Sequence, residues 1–238
     1  MDKTAISSRG VLLTERDIEL FRYLNEQKFM VSGQIYQIFW PECDPRSGAA
    51  RQRLTKLVEA GYLKIIEVDK DKLKLFLLTE KGIDILKERR LDHKFAELSD
   101  VNPLFVQHTL KLVNIRALFR ELGQHDWRSE RLMRKEDMKR GWYPDGMLDL
   151  YGLKVAFELE NSFRSKDRYV QRFKKYESDN TVDLAVFVVS WHLVKSWLLD
   201  LEGPQDRICF VLYDDLLKKK GDAELENKTS KIVLKSIL

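Results

Sequence analysis

Along the first third of the chain apolar residues recur at the helical repeat, then give way to short unbroken runs. After a polar lead over residues 1–10, Thr14 with Asp17 three positions on has capping-box spacing. It predicts a helix whose apolar face is Ile18, Phe21, Tyr23 and Leu24. Following a break at Lys28–Val31, Ser32 is expected to cap a second short helix with Ile35, Ile38 and Phe39 inward, ended by Pro41. A third helix is predicted over 46–60, with Ala50, Leu54, Leu57 and Val58 on its core face and Gly61 as its stop. The apolar runs 62–68 and 73–78 flank a charged turn over 69–72 and predict a β-hairpin. Thr79 then opens a fourth helix reaching about Leu91.

Three helices, a hairpin and a helix, in that order, predict a winged helix-turn-helix over residues 11–91. Such short elements close a small core only if the third helix keeps a polar face outward. Here that face carries Arg46, Arg51, Gln52, Thr55 and Lys56. Arginine and lysine reach phosphates and guanine edges, and glutamine reads adenine in the major groove. Lys70 and Lys72, with Lys74, would place the hairpin turn over the backbone or minor groove. The stretch from Arg53 to Leu63, followed by Leu75-Phe76-Leu77-Leu78-Thr79-Glu80-Lys81-Gly82, resembles bacterial winged-helix regulators. Double-stranded DNA is therefore the expected partner. The alternative is a protein-docking module whose charges are merely solvated.

A polar linker over 92–102 ends at Pro103. Beyond it an α/β domain is expected over 103–217, with a weakly patterned tail over 218–238. The predicted elements are a helix from Leu104 to Leu122, a strand from Trp127 to Met133, and a polar loop from Lys135 to Trp142. A strand hairpin (Met147–Tyr151 and Lys154–Glu160) and a basic helix from Arg164 to Glu177 follow. Next come a buried strand over 183–190, a helix over 192–201 and a strand over 208–212, with one last strand at 231–234.

Three carboxylates in this half carry candidate chemistry. Glu158 and Glu160 lie two apart on one strand, so they share a face, while Val155, Phe157 and Leu159 take the apolar one. Asp145, after Pro144, opens the neighbouring strand of the hairpin. Carboxylates gathered this way suit Mg2+, a hard cation able to activate water against a phosphodiester. The plainer alternative is that Glu158 and Glu160 pair with Arg164, Lys166 and Arg168.

Pro144-Asp145 with Glu158-Leu159-Glu160 resembles the PD-(D/E)xK nuclease core, a restriction-endonuclease-like mixed sheet. The resemblance implies Asp145, Glu158 and Glu160 as catalytic and metal-binding residues. The usual lysine position is held by Glu160, so Lys166 or Lys174 would have to supply that charge. This departure tilts the expectation away from cleavage. The Val106-Gln107-His108-Thr109-Leu110-Lys111-Leu112-Val113-Asn114 segment, with the winged helix and the acidic pair, makes the chain over 12–215 similar to the replication-relaxation family of plasmid and mobile-element proteins. That resemblance implies a setting in replication, mobilisation or transcriptional control. Two classes stay open: a non-catalytic DNA-binding factor and a Mg2+-dependent nuclease or nickase.

Composition narrows these readings. The net charge of +4 and pI of about 8.9 permit a nucleic-acid partner without demanding one. Cys43 and Cys209 stand far apart, which excludes a disulfide framework or zinc ribbon and fits a reducing cytoplasm. There is no apolar leader after Met1, no run near the ~20 apolar residues of a membrane helix, and no glycine-rich phosphate loop. No heptad marks a dimer helix, and a homodimer stays open.

Overall fold

The computed structural model of the 238-residue chain describes residues 11–43, 48–68, 72–91, 94–138, 141–202 and 205–238. It is mixed α/β and divides into two compact units, Met1–Val113 and Asn114–Leu238. The division falls inside a helix rather than at the polar linker before Pro103.

In the first unit, α1 (Glu15–Gln27), α2 (Ser32–Phe39) and α3 (Ala49–Glu59) precede an antiparallel pair, β1 (Leu63–Val68) and β2 (Leu73–Leu78), and then α4 (Glu80–Glu88). Thr14 Oγ1 accepts the Asp17 amide at 3.3 Å, and the Asp17 carboxylate accepts the Thr14 amide at 2.6 Å, closing the expected capping box. Thr79 Oγ1 likewise accepts the Gly82 amide at 3.3 Å to start α4. The start of α2 differs from expectation. Val31 rather than Ser32 stands at the N-cap and offers no side-chain cap, while Gln34 Oε1 accepts the Val31 amide at 3.2 Å, the reciprocal half of a capping box.

The hairpin register runs from Leu63 opposite Leu78 to Val68 opposite Leu73. Met30, in the expected break, adds a single bridge to it. Its amide reaches the Phe76 carbonyl at 3.2 Å, and the Phe76 amide returns to Met30 at 2.8 Å. A one-residue pairing leaves no alternation for a sequence pattern to show. Leu20, Phe21, Leu24, Leu57, Leu77 and Leu86 fill the centre of the unit. Phe29, Leu75 and Leu77 also pack with Val101, Val106 and Leu110. The end of the linker and the first turns of α5 (Val106–Glu121) therefore belong to this core.

The second unit is built on a seven-stranded mixed sheet in the order β3-β4-β5-β6-β7-β8-β9. These strands are β3 (Arg128–Ser129), β4 (Gly146–Leu150), β5 (Leu153–Glu160), β6 (Leu184–Val189), β7 (Ile208–Leu212), β8 (Glu224–Glu226) and β9 (Lys231–Val233). The three central strands β5, β6 and β7 are parallel. Crossover helices α7 (Lys166–Ser178) and α8 (His192–Asp200) connect them. Burial on both faces explains why β6 reads Leu-Ala-Val-Phe-Val-Val without alternation. On one face Tyr169, Phe173 and Tyr176 of α7 and Val194 and Leu198 of α8 pack with Ala156, Phe187 and Phe210. The other face holds Phe119 of α5 against Phe157, with ring centres 4.7 Å apart.

Two expectations in this half need correction. The strand foreseen over Trp127–Met133 lasts only through Arg128–Ser129. Ser129 Oγ then accepts the Leu132 amide at 3.2 Å and starts α6 (Glu130–Glu136), which also takes up the beginning of the expected 135–142 loop. The Ser129 cap and the strong helix formers Glu130, Arg131, Leu132 and Met133 favour a helix there. The tail expected to be weakly patterned also joins the sheet: β9 is the strand foreseen at 231–234, while β8 is an addition to the expectation. After α9 (Tyr213–Lys219), β8 pairs with β7 and β9 with β8. Strand β8 offers a single apolar residue, the fully buried Leu225, too little to declare itself in sequence.

Gly146 shapes the ground beneath the acidic residues. A Cβ there would lie 1.8 Å from Cζ2 of Trp127. Glycine lets that ring lie across β4 and pack with Phe119 and Phe157, at centroid distances of 6.2 and 5.4 Å. Asp145 is thereby fixed at the mouth of β4, beside the carboxyl end of β5.

Candidate nucleic-acid interface and acidic centre

Helix α3 is two-sided. Ala50, Leu54 and Leu57 are buried, while Arg51, Gln52, Thr55 and Lys56 are exposed. The Thr55 hydroxyl donates to the Arg51 carbonyl at 3.1 Å, the usual turn-to-turn bond of a helical threonine. Among the described residues no ion pair engages Arg51 or Lys56. Lys72, also exposed, follows the turn in a left-handed conformation at φ 50°. Lys74 stands 3.5 Å from Glu67, both exposed. Arg46 and Lys70 lie outside the described residues.

One arginine of α3 has a different task. Arg53 Nε donates to Asp17 Oδ1 at 2.9 Å, and its Nη2 reaches Asp17 Oδ2 and the Leu12 carbonyl, the latter at 2.7 Å. The hydrogen bond to Asp17 holds the guanidinium pKa above its ordinary value. Asp17 is wholly buried, so this pair ties the N-terminal end of α1 to the middle of α3 and fixes which side of α3 faces out. The sequence signal was available: Asp17 falls in register with Phe21 and Leu24, and an acid on an apolar face calls for a cation.

Asp145 lies beside the strand that carries Glu158 and Glu160. Asp145 Oδ2 accepts the Leu159 amide at 2.8 Å across the β4–β5 ladder. Glu158 and Glu160 turn to the α7 side of the sheet and are 2% and 3% exposed. Arg172 grips Glu158 with two donors, Nε to Oε1 at 3.0 Å and Nη2 to Oε2, and the Tyr176 hydroxyl donates to Oε1. Glu160 accepts from the Tyr169 hydroxyl at 3.2 Å and lies 3.3 Å from Arg164 Nε. Trp142 closes the flank edge-on to Tyr176, centroids 4.9 Å apart, a packing role.

Electrostatics follow from this burial. Desolvation and then the charge of Asp145 push Glu158 up to about 7, against the opposing pull of Arg172 and Tyr176. Burial likewise raises Glu160, with Arg164 acting against it. For Arg172, burial acts downward, but the charge and hydrogen bonds of Glu158 outweigh it and keep the guanidinium protonated. Burial and Glu158 together hold Tyr176 far above the ordinary tyrosine range.

The pairing foreseen in sequence is thus only partly found. Arg164 meets Glu160, but Lys166 is exposed with its amine 3.9 Å from Glu202, and Arg168 and Lys174 are exposed too. The partners that matter most are Arg172 and Tyr176, which with Tyr169 occupy one face of α7 at spacings of three and four. That periodicity was readable, because aromatic residues on the same face point an intervening arginine inward. The arrangement does not fit Mg2+. The ion needs oxygens with open lone pairs in near-octahedral array, whereas both oxygens of Glu158 are held by Arg172, with Tyr176 on Oε1, and Tyr169 and Arg164 meet Glu160 Oε2 and the Leu159 amide meets Asp145 Oδ2. Among the described residues no three His, Cys, Asp or Glu side chains form a group able to hold a metal.

The chain matches no protein-family model, no curated protein and no solved structure. Among the described residues no helix is long and apolar enough to cross a membrane.

Proposed function

We propose that this chain binds double-stranded DNA, with its first unit acting as a winged helix-turn-helix. In this reading α3 enters the major groove, the β1–β2 hairpin is the wing, and Lys72 approaches the backbone. The observation that carries it is the solvent-facing quartet Arg51, Gln52, Thr55 and Lys56, held outward by the Arg53–Asp17 pair. Gln52 and Thr55, with two cations that no ion pair engages among the described residues, share one helical face and suit phosphates and base edges. A protein-docking face would carry more apolar area at its centre.

The second unit, a restriction-endonuclease-like sheet in this proposal, acts without cleavage, because its acids are satisfied by the protein's own donors. A plasmid or mobile-element setting follows from the family resemblance, and a cytoplasmic one from the two distant cysteines Cys43 and Cys209.

The test is affinity for a fluorescently labelled duplex selected from a random-sequence library by the wild-type protein. Arg51→Ala is expected to weaken binding by about 1–3 kcal/mol if Arg51 reads a base, and by less on an unselected duplex. Equal affinity of variant and wild type for the selected duplex would remove α3 from the interface.

A further inference from the structure

Large apolar side chains scattered singly over a surface are ordinary, but several together on one edge mark a contact surface. The carboxyl ends of β5 and β6 carry such a group. Their exit segments are joined: the Ser190 amide reaches the Glu160 carbonyl at 3.1 Å, and the Ser190 hydroxyl donates to Asn161 Oδ1 at 2.7 Å. Phe163, two residues past Asn161, is 62% exposed, and Trp191, next to Ser190, is 50% exposed. Phe163 lies 4.7 Å from Trp197 of α8, ring centre to ring centre, and Trp197 stands edge-on to the buried Tyr169 at 5.7 Å. The Phe163 ring is therefore backed by the fold while much of it stays open to solvent. Leu193, one turn before Trp197, is exposed as well. Cations follow directly. From Arg164 to Lys175 the chain has six basic residues against one acid, Asp167. Arg164 and Arg172 meet Glu160 and Glu158, while Lys166, Arg168, Lys174 and Lys175 are exposed.

We infer that this edge of the second unit binds single-stranded nucleic acid, its bases stacking on Phe163 and Trp191 and its phosphates following the cations of α7. Open rings beside cations suit a single strand, because every base offers a flat face for stacking and every nucleotide a charge. A duplex hides those faces in its own stack. A protein partner fits less well, since lysine is depleted from the centre of protein interfaces. The carboxyl ends of parallel strands are also where open α/β sheets receive ligands. The inference stands apart from the duplex reading, for it concerns another unit and another state of nucleic acid.

The full chain is titrated against a labelled oligodeoxythymidylate of about 12 nucleotides, within the span of single-strand sites, and followed by fluorescence polarisation and tryptophan emission. Wild type should bind it, with emission quenched as a base covers Trp191. Phe163→Ala and Trp191→Ala should each weaken binding about five- to hundredfold, the worth of one stacked base. Trp191→Phe should keep most of the affinity. Lys166→Ala with Arg168→Ala should flatten the slope of log affinity against log salt by about 0.7 per cation. Arg51→Ala should leave oligonucleotide binding unchanged, so failure of the duplex reading and failure of this one are told apart. No binding by wild type would overturn the inference, as would full affinity in a folded Phe163→Ala, Trp191→Ala double variant. If that variant does not fold, an unchanged salt slope in Lys166→Ala with Arg168→Ala overturns it instead. Loss of oligonucleotide binding in Arg51→Ala would assign the strand to α3. Self-association of wild type that the double variant abolishes would make the edge a contact between copies, and either result contradicts the inference.

Discussion

Arg172→Ala is expected to lower the free energy of unfolding by about 3–5 kcal/mol above neutral pH, the range for breaking one partner out of a buried ion pair. The expectation follows from the burial of Glu158 at 2% exposure and from the two donors that Arg172 places on it. Without the guanidinium, Glu158 must either stay ionised in a desolvated site beside Asp145 or take up a proton. The loss should therefore shrink on acidification, when Glu158 is neutral in folded variant and wild type alike. A stability of the usual 5–15 kcal/mol leaves the variant folded at low denaturant. The double variant Arg172→Ala with Glu158→Gln should recover part of the loss, since the stranded charge has gone. Urea unfolding followed by tryptophan emission at pH 8 measures each term. A loss below about 1 kcal/mol, the level of an exposed pair, would show that the acid is not desolvated.

The second large effect is a pH dependence carried by Glu158. Its folded-state pKa of about 7 stands above the ordinary value of 4.5. The folded protein thus holds this proton more tightly than the unfolded chain does. The resulting stabilisation is complete below about pH 4.5 and is lost as the pH rises through about 7, a total of about 3 kcal/mol. Glu158→Gln keeps the shape and removes the titration. The stability of wild type relative to Glu158→Gln should therefore fall by roughly that amount between pH 4 and pH 8. The same difference rising with pH would mean that Arg172 outweighs burial and that Glu158 is ionised throughout.

Much of this fold could be read in the sequence because its elements carry their own boundaries. Thr14 with Asp17 forms the cap that its spacing implied, and Thr79 opens α4 as expected, accepting the Gly82 amide. The alternation of Glu158, Leu159 and Glu160 placed both acids on one face, as observed. The hidden parts depended on partners distant in the chain. Met30 is a lone bridge to Phe76, β8 owes its place to β7, and Arg53 is defined by an acid two helices away. Arg172 is hidden in the sequence because Arg164, Lys166 and Arg168 lie closer along the chain to the acids. The inward face of α7, set by Tyr169, Phe173 and Tyr176, decides which cation arrives. Arg51, Gln52, Thr55, Lys56 and Lys72 sit on the surface where the pattern put them, because exposure at helical spacing is a local property.

The most direct test of α3 as the duplex-facing surface is the dependence of binding on salt. Cations that meet phosphates release counterions, and each contributes about −0.9 to the slope of log affinity against log salt. Replacing Arg51, Lys56 and Lys72 together by alanine should therefore make that slope shallower by about 2–3 on any duplex. An unchanged slope in a folded triple variant would place the DNA elsewhere on the chain and contradict the account.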